Sequence, residues 1–410
     1  MLTLLLSLAA CTGDTDAPVK DADTAAESDA DTDSDTDTDT DADTDTDTDT
    51  DTDTDTPPVL IDAGYRGPTR VVALVDGASG TGTEPSSVVV FDPVTGTTLS
   101  VASLTVRADA ILDCAGDSIF VLEARGGDSA DDRIVRVNPI DATSAEWVLG
   151  SNFQPRDIAA VGDGYWVAAW GKPRLLTFNA GGVAGAAIDL AAQADADGIP
   201  EANGLYNAPP LVFVTVARQN PAEGTYAGAR VLEIDTTTST VTRTVDLAGR
   251  YPSGKMLLGG DKLHVHLRST SNGDGSVNAD GGVEAVTITD FASAGLSLDD
   301  SASGVRQNAA FFDPFSVTAW FANINSGGAP FVSVFSLFEG AALQEWPLSD
   351  SPAGIGIAEG TVWLAENPFA GGDGAVVGRS PIDGTETVRL AQTGRVRALA
   401  VCAGGAAPEE

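Results

Sequence analysis

Four arginines occupy similar positions along the chain and could bind an anion. Each stands just before or at the start of an apolar run with β-strand character, and the four are Arg107, Arg156, Arg306 and Arg395. A guanidinium group binds carboxylates and phosphates through two parallel hydrogen bonds, so a collar of arginines could hold a carboxylate, a phosphate or an acidic sugar. The alternative is pairing with neighbouring carboxylates, such as that of Asp157.

Two acidic segments have the oxygen-rich spacing of cation sites. One contains Asp195, Asp197 and Glu201, and the other contains Asp274 and Asp280 among alternating polar residues. Calcium takes six or more oxygen ligands from a shaped loop, and it is the one cofactor that the sequence suggests. Neither segment has the full D-x-D-x-D-G spacing with a distal glutamate, so turns capped by Asp and Asn side chains are the alternative.

The sequence offers little material for catalysis. His264 and His266 are its only histidines; they alternate on one apolar run without a visible third metal ligand, and we expect His264 to be a packing residue. Glu123 and Glu366 each follow an aromatic residue by three positions and could form an acid–base pair if they faced one channel. No G-x-S-x-G elbow, phosphate loop or CxxC motif is present.

These residues belong to a repeat of short apolar runs. A run, a glycine-containing turn and a second run with an aromatic residue or histidine recur at 110–124, 158–170, 256–268 and 355–367, which is the pattern of tight hairpins. Another run then ends at a capped turn, as at Asp92, Asn138 and Ser380, each followed by proline. Two hairpins make a four-stranded unit, and the spacing between units is typical of propeller blades.

The two ends of the repeat region complete a seventh unit. Residues 69–103 contain three strands, and 395–404 repeats 107–116, with Arg and Cys at matching positions. We therefore predict an all-β, seven-bladed β-propeller that the C-terminal strand closes, which removes exposed sheet edges. We also predict a disulfide between Cys114 and Cys402 on neighbouring inner strands, the alternative being two thiols buried separately.

Long polar connections are predicted on one face of this propeller. They span 76–86, 125–132, 218–228 and 269–282, whereas the turns predicted for the other face are mostly short. Long loops on a rigid scaffold are frequent binding sites, although loop extensions without a function are also tolerated. The arginine collar would lie on this long-loop face.

The start of the chain indicates export. Residues 1–11 end in Leu8-Ala9-Ala10-Cys11 and resemble the signal peptide of bacterial lipoproteins, which implies acylation of Cys11. Because no Asp follows Cys11, the resemblance also implies the outer membrane or cell surface. The segment departs from the lipoprotein pattern in having no Lys or Arg before Cys11, and an ordinary secretory signal is the alternative.

An acidic tract separates this signal from the repeats. Residues 12–56 contain 18 Asp, one Glu and one Lys, so they carry −18 of the net charge of −38. Such a tract cannot offset chain entropy by burying apolar surface, and we expect a disordered linker before a propeller over 57–410. The acidity of both parts excludes nucleic acid as a partner, because phosphates require a basic surface.

The repeats over residues 65–403 resemble seven-bladed propellers of the YVTN-repeat and quinoprotein-like groups. The resemblance implies the fold and no activity, because such propellers include enzymes, binding modules and scaffolds. We expect a monomeric, lipid-anchored head that binds a protein partner, a glycan or a small anion through the long-loop face. The alternatives are a calcium-dependent hydrolase or lyase, as in propellers related to lactonases, and a scaffold in an envelope assembly.

Overall fold

The computed structural model describes most of the repeat region, over residues 67–76, 85–107, 110–124, 131–220, 225–249, 251–269, 281–299, 305–325 and 328–403. Cys11, the segment 12–56, Asp274 and Asp280 lie outside the described residues, as does the side chain of Arg306. In the described part, one short 3-10 helix at Ala191–Gln193 accompanies the strands, and no helix has the length and apolar character needed to span a bilayer.

The described strands form seven four-stranded antiparallel sheets, the blades of a propeller. Blade one begins with β1 (Arg70–Asp76), β2 (Pro85–Phe91) and β3 (Thr98–Thr105). Blade two contains β4 (Ile111–Ala115), β5 (Ser118–Glu123), β6 (Asp132–Val137) and β7 (Ser144–Gly150). Blade three contains β8 (Pro155–Val161), β9 (Gly164–Ala169), β10 (Arg174–Asn179) and β11 (Ile188–Asp189).

The remaining blades follow in chain order. Blade four contains β12 (Ala202–Ala208), β13 (Leu211–Val216), β16 (Arg230–Asp235) and β17 (Thr240–Asp246), with a small hairpin of β14 (Gln219–Asn220) and β15 (Thr225–Tyr226) between its second and third strands. Blade five contains β18 (Tyr251–Gly259), β19 (Lys262–Arg268), β20 (Gly282–Thr287) and β21 (Ala292–Asp299). Blade six contains β22 (Val305–Asp313), β23 (Thr318–Asn325), β24 (Pro330–Ser336) and β25 (Ala341–Pro347). Blade seven contains β26 (Ser351–Ala358), β27 (Thr361–Asn367), β28 (Ala375–Arg379) and β29 (Glu386–Ala391).

The last strand, β30 (Val396–Cys402), belongs to blade one and closes the ring. It pairs antiparallel with β1, from Arg70 opposite Cys402 to Val75 opposite Val396. The seven inner strands then contact one another in the order β30, β4, β8, β12, β18, β22 and β26, and β26 contacts β30 again. The predicted seven-bladed propeller, closed by the C-terminal strand, is therefore confirmed, and so is the disulfide between Cys114 and Cys402.

Apolar side chains fill the seven interfaces between adjacent blades. Each interface holds one buried cluster, such as that of Val72 and Val88 from blade one with Leu112 and Ile119 from blade two. Strands that face a neighbouring blade on both sides read as continuous apolar runs, as in RVVALVD of β1. Outer strands alternate instead, as in TVTRTVD of β17, because one of their faces meets water.

The connections divide between two faces. The described turns from first to second strand and from third to fourth strand lie on what we call the short-turn face; the strand ends that lead into the other connections lie on the opposite, long-loop face. Most of the predicted long connections fall outside the described residues, which omit 77–84, 125–130, 221–224 and 270–280. Capped turns on the short-turn face follow the predicted chemistry, since Asp92 Oδ1 accepts hydrogen bonds from the backbone N–H groups of Val94 and Thr95, both at 2.9 Å.

Candidate functional site

The inner strands share a bulge near the long-loop face. In six of the seven inner strands the register with the second strand skips at least one residue, which the repeat pattern did not predict. The skipped positions are Arg156, Asn203, 253–255, Asn308, Ala353 and Arg397. A bulge bends a strand and re-aims a side chain, and bulges are frequent beside binding sites. We call the long-loop end of the ring of inner strands the channel mouth. At this end, six of the seven inner strands have residues that are not paired in the regular ladder.

The bulged Arg156 packs on an aromatic ring. Its guanidinium carbon lies 5.1 Å from the ring centroid of Trp170, which follows β9. Trp170 in turn contacts Tyr251 of blade five, with 5.8 Å between the ring centroids. Tyr251 is paired across the strands with Arg268, the last residue of β19. Residues from blades three and five thus meet at this mouth.

Arg268 brings a second guanidinium into the same place. Arg268 is exposed to solvent, and partial desolvation by the protein lowers the pKa of Arg268. Tyr251 opposes the shift, and the positive charge of Arg156 adds to it. When two positively charged groups lie close together, each destabilises the charged form of the other. An anion that binds between them offsets this repulsion.

A further pair of cations packs on Phe153 of blade three, whose backbone carbonyl accepts a hydrogen bond from Gly171, the residue after Trp170, at 3.1 Å. The Nζ of Lys172 lies 5.3 Å, and the guanidinium carbon of Arg174 5.4 Å, from the ring centroid of Phe153. We call the whole group the cation–aromatic cluster: Phe153, Arg156, Trp170, Lys172, Arg174, Tyr251 and Arg268. Within the described part of the chain, the side chains of its four cations form no ion pair, and Arg156 Nε is buried without a hydrogen-bond partner.

This arrangement is unusual because the propeller is acidic. Residues 57–410 carry a net charge of about −20, so carboxylates are plentiful and elsewhere do pair with arginines, as Asp246 does with Arg218 and Arg230. Aromatic faces attract cations without neutralising them. Among the described residues, three of the four cations of the cluster are therefore packed on aromatic rings rather than neutralised by carboxylates.

The other members of the predicted arginine collar are placed differently. The backbone N–H of Arg107 donates to Glu123 Oε1 at 3.0 Å, and Arg107 makes a further interaction. Arg395 is exposed just before β30, and its carbonyl accepts a hydrogen bond from the N–H of Asp76. Arg306 lies within β22. Of the four, Arg156 joins the cluster, and it stacks on Trp170 rather than pairing with Asp157.

Glu123 and Glu366 lie buried in separate blades. Glu123 forms an ion pair with Arg133 of the neighbouring strand, β6. Glu366 accepts hydrogen bonds from Arg379 Nε at 3.0 Å and from Arg389 at 3.0 Å, and it is 1% exposed. These contacts stabilise the sheets, and each glutamate is already engaged by an arginine.

The acidic segment before blade four forms capped turns. Asp195 Oδ1 accepts a hydrogen bond from the N–H of Asp197 at 3.1 Å, and Asp197 Oδ1 accepts one from Ile199 at 2.7 Å. Glu201 is buried, and desolvation raises the pKa of Glu201 to about 8, with the charges of Asp197 and Asp195 adding to the shift. Among the described residues, no group of three or more His, Cys, Asp or Glu side chains could hold a metal ion.

Two further carboxyl groups meet between the inner strands of blades two and three. Asp113 of β4 and Asp157 of β8 share a hydrogen bond between their side chains. Desolvation, followed by the charge of Asp113, raises the pKa of Asp157 well above its ordinary value. The repeat pattern did not single out this pair, because its two members stand in different blades.

The histidines are packing residues, as predicted for His264. Burial lowers the pKa of His264 to about 4, and neither ring nitrogen has a hydrogen-bond partner in the described structure. His266 Nδ1 contacts Ser253 Oγ at 2.6 Å, and its ring lies 5.2 Å from that of Phe321. Neither histidine belongs to the cluster.

The ring of seven blades places the chain among the seven-bladed β-propellers. No family model matches the sequence, and no curated protein matches it. Its fold is similar to that of a candidate 6-phosphogluconolactonase from Bacteroides uniformis, at 11% identity and a TM-score of 0.55 over 81% of this chain and 99% of that one. It is also similar to a candidate 6-phosphogluconolactonase from Bacteroides fragilis, at 11% identity and a TM-score of 0.53 over 81% and 98%. Hydrazine synthase of Kuenenia stuttgartiensis matches at 10% identity and a TM-score of 0.51 over 69% and 86%. At these identities the likeness concerns the fold alone.

Proposed function

We propose that the protein is an exported lipoprotein of the outer membrane or cell surface whose propeller binds an acidic glycan or a small anion. Cys11 carries the lipid, the acidic segment 12–56 links it to the propeller, and the cation–aromatic cluster is the ligand site. The observation that supports the site best is geometric: the guanidinium carbon of Arg156 lies 5.1 Å from the ring centroid of Trp170, and its buried Nε has no hydrogen-bond partner among the described residues.

The composition of the cluster favours a ligand with both a ring and a negative charge. Guanidinium groups bind carboxylates or phosphates through two hydrogen bonds, and aromatic side chains provide an apolar surface against which a ring can lie. Trp170 and Tyr251 are half-buried, so their rings are held in place but remain reachable. An acidic sugar supplies both features.

Binding is tested by titration calorimetry of the full chain with an oligogalacturonate, with inorganic phosphate as a charged probe and a neutral maltooligosaccharide of equal length as the control ligand. We expect the two charged probes to bind and the neutral one not to. Arg156→Gln and Arg268→Gln each remove a charged hydrogen bond and should weaken binding about 10- to 100-fold.

Arg230→Gln is the matched control, because Arg230 is paired with Asp246 outside the cluster. It should leave the affinity unchanged. If neither charged probe binds, or if all three variants bind as the parent does, the site is not a ligand site.

Lipid attachment is tested separately. Expression with a radiolabelled fatty acid, in a host with the bacterial lipoprotein pathway, should label the protein, and Cys11→Ser should abolish the label. A label that survives this substitution would show that Cys11 is not the anchor.

A further inference from the structure

Six apolar side chains protrude from the short-turn face. Twelve large apolar side chains are exposed in the described part of the chain, and these six, at 65–83% exposure, are the most exposed of them. They are Val94, Ile140, Val183, Phe315, Phe338 and Ile382. Five of the others lie on outer strands, and Phe369 lies on the long-loop face.

The six protrusions follow a pattern set by the repeat. Five stand in the turn between the third and fourth strands, and Phe315 stands in the turn between the first and second strands of blade six. They come from blades six, seven, one, two and three, which are adjacent around the ring. We call them the apolar arc. Single exposed apolar residues are common, but an arc at equivalent turns of five adjacent blades is a feature of the face.

At five of the six apolar residues, the backbone N–H group is already hydrogen-bonded to a side chain of its own turn. The N–H group of Val94 donates to Asp92 Oδ1 at 2.9 Å, and that of Ile140 donates to Asn138 Oδ1 at 2.9 Å. Equivalent bonds join Val183 to Asn179, Phe315 to Asp313 and Ile382 to Ser380. Because an unsatisfied N–H is costly away from water, these bonds let an apolar tip leave water without that cost.

The N-terminal part of the chain joins the propeller at this face. Gly67 and Pro68 line a groove of about 380 Å³ together with Asn138, Pro139 and Ile140, a member of the apolar arc. The residues before Gly67 include Cys11. A lipid on Cys11 would hold the propeller near a bilayer through the segment 12–66, and the surface of the propeller itself then decides which face meets the lipid.

We propose that the short-turn face rests on a zwitterionic phospholipid surface, with the apolar arc in the interfacial region and the cation–aromatic cluster pointing away. This inference rests on the proposed lipid anchor for how the protein reaches the membrane. We specify a zwitterionic membrane because carboxylates begin several of these turns, as Asp92 and Asp313 do. Anionic lipid headgroups would repel these carboxylates.

The form of the arc favours a lipid surface over a protein partner. Protein interfaces concentrate their binding energy in a central, well-packed cluster that is rich in Trp, Tyr and Arg. The arc has separate aliphatic and Phe tips around a rim, and a fluid surface can accept each tip independently. An orientation of this kind presents the ligand site to the exterior.

The test uses the full chain tethered artificially. Cys11 is the one cysteine outside the disulfide, so it can be coupled to maleimide-bearing lipid in phosphatidylethanolamine and phosphatidylcholine vesicles whether or not cells acylate it. Hydroxyl-radical footprinting with mass spectrometry then reads individual side chains. Compared with the uncoupled chain, labelling of Ile140, Phe338 and Ile382 should fall on the order of threefold, and that of Phe369 should not change.

Variants separate docking from mere proximity. Ile140→Ser, Phe338→Ser and Ile382→Ser combined should abolish the protection of Val94 and Phe315, whereas Phe369→Ser should leave it intact. Equal labelling with and without vesicles, equal protection of both faces, or protection by a second copy without lipid would each overturn the inference. None of these results bears on ligand binding at Arg156 and Arg268 or on fatty-acid labelling of Cys11.

Discussion

Cys114 and Cys402 are 288 positions apart in the chain, yet their α-carbons lie 5.5 Å apart and their sulfur atoms are bonded. Cys114 lies near the end of β4 and Cys402 ends β30, so the bond joins the inner strands of blades two and one. It fastens the closing strand to the next blade, in addition to the ladder between β30 and β1.

Removal of this bond should lower the free energy of unfolding substantially. In the chain-entropy model, a disulfide that closes so long a loop contributes on the order of 5 kcal/mol. The Cys114→Ala and Cys402→Ala double variant should therefore unfold at a lower urea concentration than the oxidised parent. Dithiothreitol should shift the parent towards the double variant and leave the double variant unchanged; a parent insensitive to reduction would contradict the prediction.

The buried carboxylate of Glu366 should be critical for stability. It bonds both Arg379 and Arg389, and Glu366→Gln leaves the buried Arg379 with only the longer, 3.7 Å contact to Glu386, which should cost about 3–5 kcal/mol. Glu386 contacts Arg389 at 2.9 Å and is 37% exposed, so Glu386→Gln is a matched control that should cost less than about 1 kcal/mol. Urea unfolding at neutral pH compares them, and equal losses would show that burial does not decide the effect.

Glu201 should make the propeller less stable as the pH rises. Its pKa is about 8 in the folded chain, against an ordinary value of 4.5 for a solvated glutamate. The folded protein therefore binds more protons than the unfolded chain between these values, and the free energy of unfolding falls across that window. Glu201→Gln removes this loss and can still accept the hydrogen bond that the N–H of Gln219 donates.

The variant should therefore be more stable than the parent at pH 8.5, on the order of 2–4 kcal/mol, and close to it at pH 5. Urea unfolding at both pH values measures the difference. Glu359→Gln, at an exposed turn, should show no such dependence. The prediction fails if the difference between Glu201→Gln and the parent is the same at both pH values.

Deletion of residues 13–56 should leave the thermal midpoint of the propeller nearly unchanged. The tract contains few large apolar side chains, and such a segment contributes little packing. Differential scanning calorimetry compares the parent with the deletion variant. A decrease of several degrees would show that the acidic tract stabilises the propeller.

The architecture was predictable because it repeats. Turn residues such as Asp92 and Asn138 recur at fixed places between apolar runs, and Arg107 with Cys114 has a copy in Arg395 with Cys402. Local turn chemistry and alternation of side chains decide where strands begin and end, so the sequence contained the blade count, the closing strand and the disulfide. All three are confirmed.

The candidate site was predicted only through Arg156. Its partners Trp170, Tyr251 and Arg268 stand at strand ends in two blades, and no spacing within one repeat connects them. The bulges that re-aim the inner residues also leave no regular sequence mark. A search for aromatic and basic residues that flank strands at the same face would have found the cluster.

The closing strand also determines when the protein can become complete. Blades two to seven each form from hairpins that are neighbours in the chain, whereas blade one requires Arg70 to meet Cys402. The loop-closure entropy of such a distant pairing must be overcome before its contacts form, so we expect ring closure to be a late and slow step of folding. Until then, the edge of β1 offers its unpaired backbone and apolar sequence to other chains. A polypeptide truncated before Val396 would lack the strand that pairs with β1. The edge of β1 would then stay unpaired, so a truncated chain should aggregate more readily than a full-length one.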